Sequence, residues 1–130
     1  MPQATFINLP VRDLDRSIGF FAALGFSFDE NMTDERATAM IITDQSYAML
    51  LTEPFFKTFT DRDIADATKT TEVITALSVG SREEVDEVIG KARSAGSPHI
   101  REPYEDGPMY GGSFADPDGH LWEVFHFPMD

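Results

Sequence analysis

Apolar residues change their spacing along this chain twice, in the same order each time. TFINLPV, residues 5–11, is a short β-rich stretch, and Asp13 stands where a helix would need its cap. Leu14, Ile18, Phe21 and Leu24 then recur at helical spacing, and Gly25 supplies the stop. SFDE (27–30), ATAMIIT (37–43) and YAMLLT (47–52) follow as three strands, the last two joined by a short turn at DQS (44–46). The first half predicts β-α-β-β-β.

Residues 53–72 break the periodicity. A compact domain rarely carries so long a loop without structure, so a helical turn or a packed surface segment is expected there. Phe55, Phe56 and Phe59 in this stretch need cover, from their own core, over a cavity or against a partner. The second half repeats the order. VITALSV (73–79) is a strand, Ser81 and Glu84 form a capping box, and Val85, Val88, Ile89, Ala92 and Ala95 make one helical face ending at Gly96. HIRE (99–102), GSFAD (112–116) and HLWEVFHF (120–127) close the pattern as strands. Pro117, Asp118 and Gly119 form a turn before the last, with Gly at its left-handed position.

Leu9-Pro10-Val11 and Leu77-Ser78-Val79 lie 68 positions apart, as do the cap residues Asp13 and Ser81. Aligning TDQSYAMLL with DPDGHLWEV gives an offset of 73 for the closing hairpins. Neither unit is expected to be stable alone, so the two should pair within one domain, residues 1–130. The first unit covers about 4–53, the linker 54–72 and the second unit 73–128.

Composition narrows the class. With 42% hydrophobic and 25% charged residues, the chain reads as an ordinary soluble globular protein. The absence of Cys excludes disulfides, thiolate ligands and a thiol nucleophile. Residues 1–17 carry Asp and Arg where a secretory leader would be apolar, and no apolar run approaches a membrane span, so a cytoplasmic location is expected. A net charge of −13 argues against nucleic acid, anionic membrane surfaces and large anionic ligands, and leaves small neutral or cationic ones open. No phosphate loop, nucleophile elbow or HExxH helix occurs, and DRDIAD and REEVDE read as solvated faces.

Doubled βαβββ units resemble the vicinal oxygen chelate superfamily of glyoxalases, bleomycin resistance proteins and extradiol dioxygenases. LPVRDLDRSIGFFAALGF (9–26) is similar to its opening strand and helix, and FADPDGHLWEV (114–124) to its closing hairpin. The resemblance implies an α+β fold in which the two units form a curved, half-open mixed sheet around a cleft, with helices outside. In metal-binding members, the first and last strands of each unit present side chains into that cleft, and the carboxylate of the closing strand falls on Glu123. By the repeat, the other three positions are Phe6, Leu50 and Ile74. A divalent metal needs several N or O donors at about 2.0–2.2 Å, and three hydrocarbons supply none. His99 stands before a weak strand, His120 at the turn, and His126 on the opposite face from Glu123 by alternation. No cofactor is expected.

A carboxylate among Trp122, Val124 and Phe125 is costly if buried and unpaired. Leu121, Phe125 and Phe127 share its face, while Trp122 and Val124 face the helix layer. Three roles stay open for Glu123: a hydrated carboxylate at a cleft mouth, a polar anchor for a ligand, or a general base raised by burial. Asn8 shares the face of Phe6, and Met109 and Tyr110 can wall the cleft, with Gly111 and Gly112 allowing close backbone approach.

The expected function is metal-independent binding of a small apolar or aromatic molecule, similar to the bleomycin-resistance branch, at Phe6, Asn8, Leu50, Ile74, Tyr110 and Glu123. The alternatives are a glyoxalase-like lyase or isomerase or a dioxygenase using a divalent metal, or a metal-free enzyme with Glu123 as base. A homodimer is expected, with Phe55, Phe56, Phe59, Met129 and the Phe-rich last strand contributing an apolar patch.

Overall fold

Two four-stranded sheets form, one from each predicted repeat, in a computed structural model that describes residues 1–128. Met129, expected in the apolar patch, lies outside the described residues. The chain divides into two compact units, Met1–Ile64 and the segment from Ala65 onward.

The first unit runs β1 (Thr5–Val11), α1 (Leu14–Ala23), β2 (Ser27–Asp29), β3 (Ala37–Thr43), β4 (Ser46–Thr52) and a short α2 (Glu53–Phe56) that continues into a 3-10 turn at Lys57–Phe59. Its sheet order is β1-β4-β3-β2, with β1 and β4 parallel and the other pairs antiparallel. The Asp13 carboxylate accepts the Arg16 N–H at 3.1 Å, and the helix gives way to Gly25 at φ 102°, where a side chain would be strained. Leu14, Ser17, Phe20, Phe21 and Leu24 are buried, so the covered stripe of α1 is wider than the 3.6-residue pattern alone marks. The broken segment after β4 does hold helical turns. There Arg36 sits 4.3 Å over the Phe55 ring and Phe59 meets Phe55 edge-on at 5.2 Å, while Phe59 itself stays exposed.

The second unit repeats the plan with β5 (Ile74–Ser78), α3 (Arg82–Ser94), β6 (Ile100–Asp106), β7 (Met109–Ala115) and β8 (Leu121–His126), in the sheet order β5-β8-β7-β6. Ser81 Oγ accepts the Glu84 N–H at 3.1 Å, as the capping box requires. β6 and β7 are longer than HIRE and GSFAD, and they turn at Gly107 and Pro108. The extension is poorly marked in the sequence because β6 is an edge strand, where Pro103 and the carboxylates Glu102, Glu105 and Asp106 are tolerated.

α3 packs on one face of this sheet. A Cβ on Gly112 would meet Ile89 of α3 at 3.2 Å and the Arg101 carbonyl at 2.8 Å, so the bare glycine sets how closely the helix approaches. Val85, Ile89 and Ala92 are buried with Phe114, Trp122 and Val124, and the Phe114 and Trp122 rings lie parallel at 6.3 Å. Each fully buried aromatic contributes about 2–3 kcal/mol of transfer free energy.

Asp116 fastens the turn into β8. Its carboxylate accepts the backbone N–H of Asp118 and of His120, both at 3.0 Å, and the indole N–H of Trp122 at 3.2 Å. Burial pushes this carboxyl above its ordinary value, opposed by the His120 charge and the donors around it. A carboxyl raised on folding adds most stability while it stays protonated, and that contribution is lost as pH rises through the folded value. Independently of that titration, Asp116→Ala should cost about 2–4 kcal/mol in urea unfolding at neutral pH, since three donors lose their acceptor. Against Asp116→Asn, the wild type should gain relative stability as pH falls from neutral toward the ordinary carboxyl value of 3.8. A pH-independent difference between the two would mean that Asp116 titrates alike folded and unfolded.

Candidate functional site

Register decides what Glu123 faces. It lies beside Ala76 in the parallel β5–β8 pair and opposite Ser113 in the antiparallel β7–β8 pair, and Ser113 is opposite Arg101 of β6. Paired residues project to the same side of a sheet, so Ala76, Glu123, Ser113 and Arg101 form one row across the face away from α3. The adjacent row on that face is Ser78, Phe125, Gly111 and Tyr104. Trp122 and Val124, on the other side of the strand, are fully buried against the helix layer, whereas Glu123 is exposed. A carboxylate flanked by apolar residues in sequence is thus flanked by water in space, and the expected burial cost does not arise.

Arg101 and Tyr104 are three residues apart yet share this face, because the β6–β7 pairing slips between them. The Arg101 guanidinium rests 4.2 Å over the Tyr104 ring. Arg82 is engaged by Glu105 at 2.5 Å and Arg93 by Glu102, but Arg101 reaches no carboxylate among the described residues. The Glu123 carboxylate likewise accepts no hydrogen bond from a described residue. Arg101, Tyr104, Met109, Gly111, Ser113, Glu123 and Phe125 line a shallow depression open to solvent. Ile74, expected at the site, projects to this face near the end of β5 and is half exposed.

In the first unit, Phe6 and Asn8 share one face with Tyr47 and Met49, and the Phe6 ring stacks on Tyr47 at 4.8 Å. Leu50 does not join them. It pairs with Leu9 on the opposite, buried face and is fully enclosed. Leu9 pairs with Leu50 and its repeat mate Leu77 with Val124, an offset of 74 between the closing strands rather than 73. A one-residue slip reverses every side chain of a strand. The position equivalent to Glu123 is Met49. Alternation could not fix this register, because Ala48, Met49, Leu50 and Leu51 are consecutively apolar and the inner strand β4 is covered on both faces at Leu50 and Leu51.

Tyr110 is also turned away from Glu123. It pairs with His126 on the helix side and donates its hydroxyl to Asp86 of α3 at 2.6 Å, with Arg82 5.0 Å over its ring. That hydrogen bond to Asp86 is the main cause that holds the phenol above its ordinary value. Tyr110 ties β7 to α3. Tyr104 falls beyond the strand expected at 99–102, whereas Arg101 and Ser113 lie inside expected strands and come beside Glu123 through a pairing that alternation along one strand does not show.

The residues present do not suit a resident divalent metal. With the corrected register, the first and last strands offer Phe6, Met49, Ile74 and Glu123, which is one carboxylate, one thioether and two hydrocarbons. Among the described residues, no three His, Asp or Glu side chains gather. His126 lies on the helix side with Nδ1 3.0 Å from the Val79 carbonyl.

The family model of the Glyoxalase/Bleomycin resistance protein/Dioxygenase superfamily matches residues 3–124. The chain belongs to this superfamily. The superfamily chain is similar to a hypothetical protein from S. aureus, at 29% identity over 97% of this chain and 94% of that one, with a TM-score of 0.83. A family enzyme from Burkholderia phytofirmans shares the fold at 17% identity, over 98% of this chain and all of the other, with a TM-score of 0.82. So does a bleomycin-binding protein solved in complex with bleomycin, at 21% identity over 98% of this chain and all of that one, TM-score 0.66. No curated protein matches the sequence. No helix among the described residues is long and apolar enough to cross a membrane.

Exposure makes Glu123 dispensable for folding. Glu123→Gln should leave thermal stability within about 0.5 kcal/mol of wild type. A loss above about 2 kcal/mol would identify Glu123 as a structural ion-pair partner instead.

Proposed function

We propose that this protein binds a small, largely apolar or aromatic molecule on the sheet face that its helices leave open, and that it does so without a resident metal. The observation that carries this reading is the depression of the second unit, where a carboxylate with no partner among the described residues stands beside the half-buried rings of Tyr104 and Phe125. Binding sites for small molecules are concave and combine apolar walls with a few placed polar groups, and this depression sets Met109 and Phe125 beside Arg101, Ser113 and Glu123. Glu123 and Ile74 contribute from the second unit. Phe6 and Asn8 occupy the corresponding face of the first. Similarity to a bleomycin-binding protein supports sequestration as the activity, with Glu123 acting as a polar anchor.

Amide NMR spectra recorded during titration with bleomycin and with neutral aromatic fragments test the reading. Shifts should concentrate at Gly111, Ser113, Glu123 and Phe125 and spare Ile89 and Ala92 of α3. Silence at millimolar ligand, or shifts confined to α3, would remove the basis for placing a site on this face.

We also propose that the protein is a homodimer. β1 and β5 are each the edge strand of their sheet, and Phe6 and Ile74 on them are 47% and 49% exposed. Phe59 is 63% exposed. Apolar side chains on unpaired sheet edges are normally covered in the working assembly. Light scattering at micromolar concentration should give about 29 kDa, twice the 14.5 kDa chain. A mass near that of one chain would show that these residues serve the monomer.

A further inference from the structure

Two Asp-Gly steps occur in the chain, Asp106-Gly107 and Asp118-Gly119, and the second unit places them in opposite environments. Such a step has a chemistry of its own. The Asp side-chain carboxyl lies within reach of the next backbone nitrogen, and a glycine there carries no side chain to block the approach. Reaction requires that both groups be free to meet.

Asp106 and Gly107 meet that requirement. Asp106 pairs with Met109 at the end of the β6–β7 hairpin, so that only Gly107 and Pro108 form the loop. Asp106, Gly107 and Pro108 are all exposed. The Asp106 carboxylate makes no hydrogen bond or ion pair with a described residue, and the Gly107 N–H donates to none. Gly107 stands at φ 60°, and a Cβ on it would meet nothing within 4 Å.

Asp118 and Gly119 are held instead. Asp118 is 5% exposed, and its own N–H is tied to the Asp116 carboxylate at 3.0 Å. The Gly119 N–H, which would supply the attacking nitrogen, donates to the Asp116 carbonyl at 2.9 Å. The linker presses on the same glycine, where a Cβ would come within 2.9 Å of the Thr68 nitrogen and 3.0 Å of the Ala67 carbonyl. Ring closure through this nitrogen requires the turn to open first.

We propose that Asp106-Gly107 is a site of spontaneous backbone modification, where Asp106 isomerises through a cyclic imide to a β-linked aspartyl residue, and that burial spares Asp118-Gly119. The Gly107 nitrogen attacks the side-chain carboxyl in its protonated form. A C–N bond forms, the C–O bond breaks, and the hydroxyl leaves as water with the amide proton. Water then opens the ring. Attack at the former side-chain carbonyl restores Asp106, whereas attack at the main-chain carbonyl leaves the chain running through the β-carbon beside a free α-carboxylate. The product adds one methylene to the shortest loop of the unit's sheet and alters the Asp106–Met109 rung, and Met109 lines the depression. The chemistry is independent of whether that depression holds a ligand.

The test ages the folded full chain for weeks in oxygen-18 water at neutral pH. Each passage through the ring inserts one heavy oxygen, and electron-transfer fragmentation of the tryptic peptide 102–130, which contains both steps, locates it. In the folded chain Asp106 should label at least about tenfold faster than Asp118, whose reaction waits on local opening. In urea the two should label alike. A protein isoaspartyl methyltransferase with S-adenosylmethionine should methylate the aged chain, and Asp106→Glu, which keeps the charge but demands a larger ring, should abolish that signal. Unchanged amide spectra away from the hairpin tip will establish that this variant is folded. Absence of label at Asp106, equal labelling of both steps in the folded chain, a difference that persists in urea, or methylation that survives Asp106→Glu would each overturn the assignment.

Discussion

Parallel pairing of the first and last strands within each unit is the constraint on which everything else depends. β1 against β4, and β5 against β8, fix one register apiece, and with a side-chain period of two each register assigns every residue to a face. In the second unit the buried assignment goes to Trp122, Val124 and Phe114, over which α3 closes at the bare Gly112. The same choice leaves Glu123, Phe125 and Ser113 together on the other side. Core and site are therefore two consequences of one pairing. Stabilising one determines the other.

This coupling explains why a carboxylate can occupy the strand that carries the unit's largest buried side chain. Trp122 and Glu123 are sequence neighbours but belong to different environments, one fully enclosed and the other in solvent. The turn preceding them is held by a different carboxylate, Asp116, whose three donors set the start of β8 and reach the Trp122 indole. Two acidic residues seven positions apart thus divide the work. The buried one fixes the strand, and the exposed one stands in solvent.

Much of this was legible in the chain. The doubled βαβββ order, both helix caps, the stops at Gly25 and Gly96 and the closing turn at Gly119 all rest on local signals, namely period, capping side chains and glycines at positive φ. The positions of Phe6, Asn8, Ile74 and Glu123 on one face of their strands followed from clean alternation. Leu50 was misplaced because four apolar residues in succession erase the period-two signal, so the repeat alone could not distinguish an offset of 73 from 74. Tyr110 was misplaced because its phenol reaches Asp86, 24 residues earlier, a contact no local pattern records. Arg101 and Tyr104 were missed because a slip in an edge strand, not alternation, brings them to one side.

The most direct measurement is difference electron density from crystals of the protein soaked with a small neutral aromatic compound such as benzyl alcohol. The expected result is density on the open face of the second sheet, beside Glu123 and Phe125. Density packed against α3 instead would contradict it.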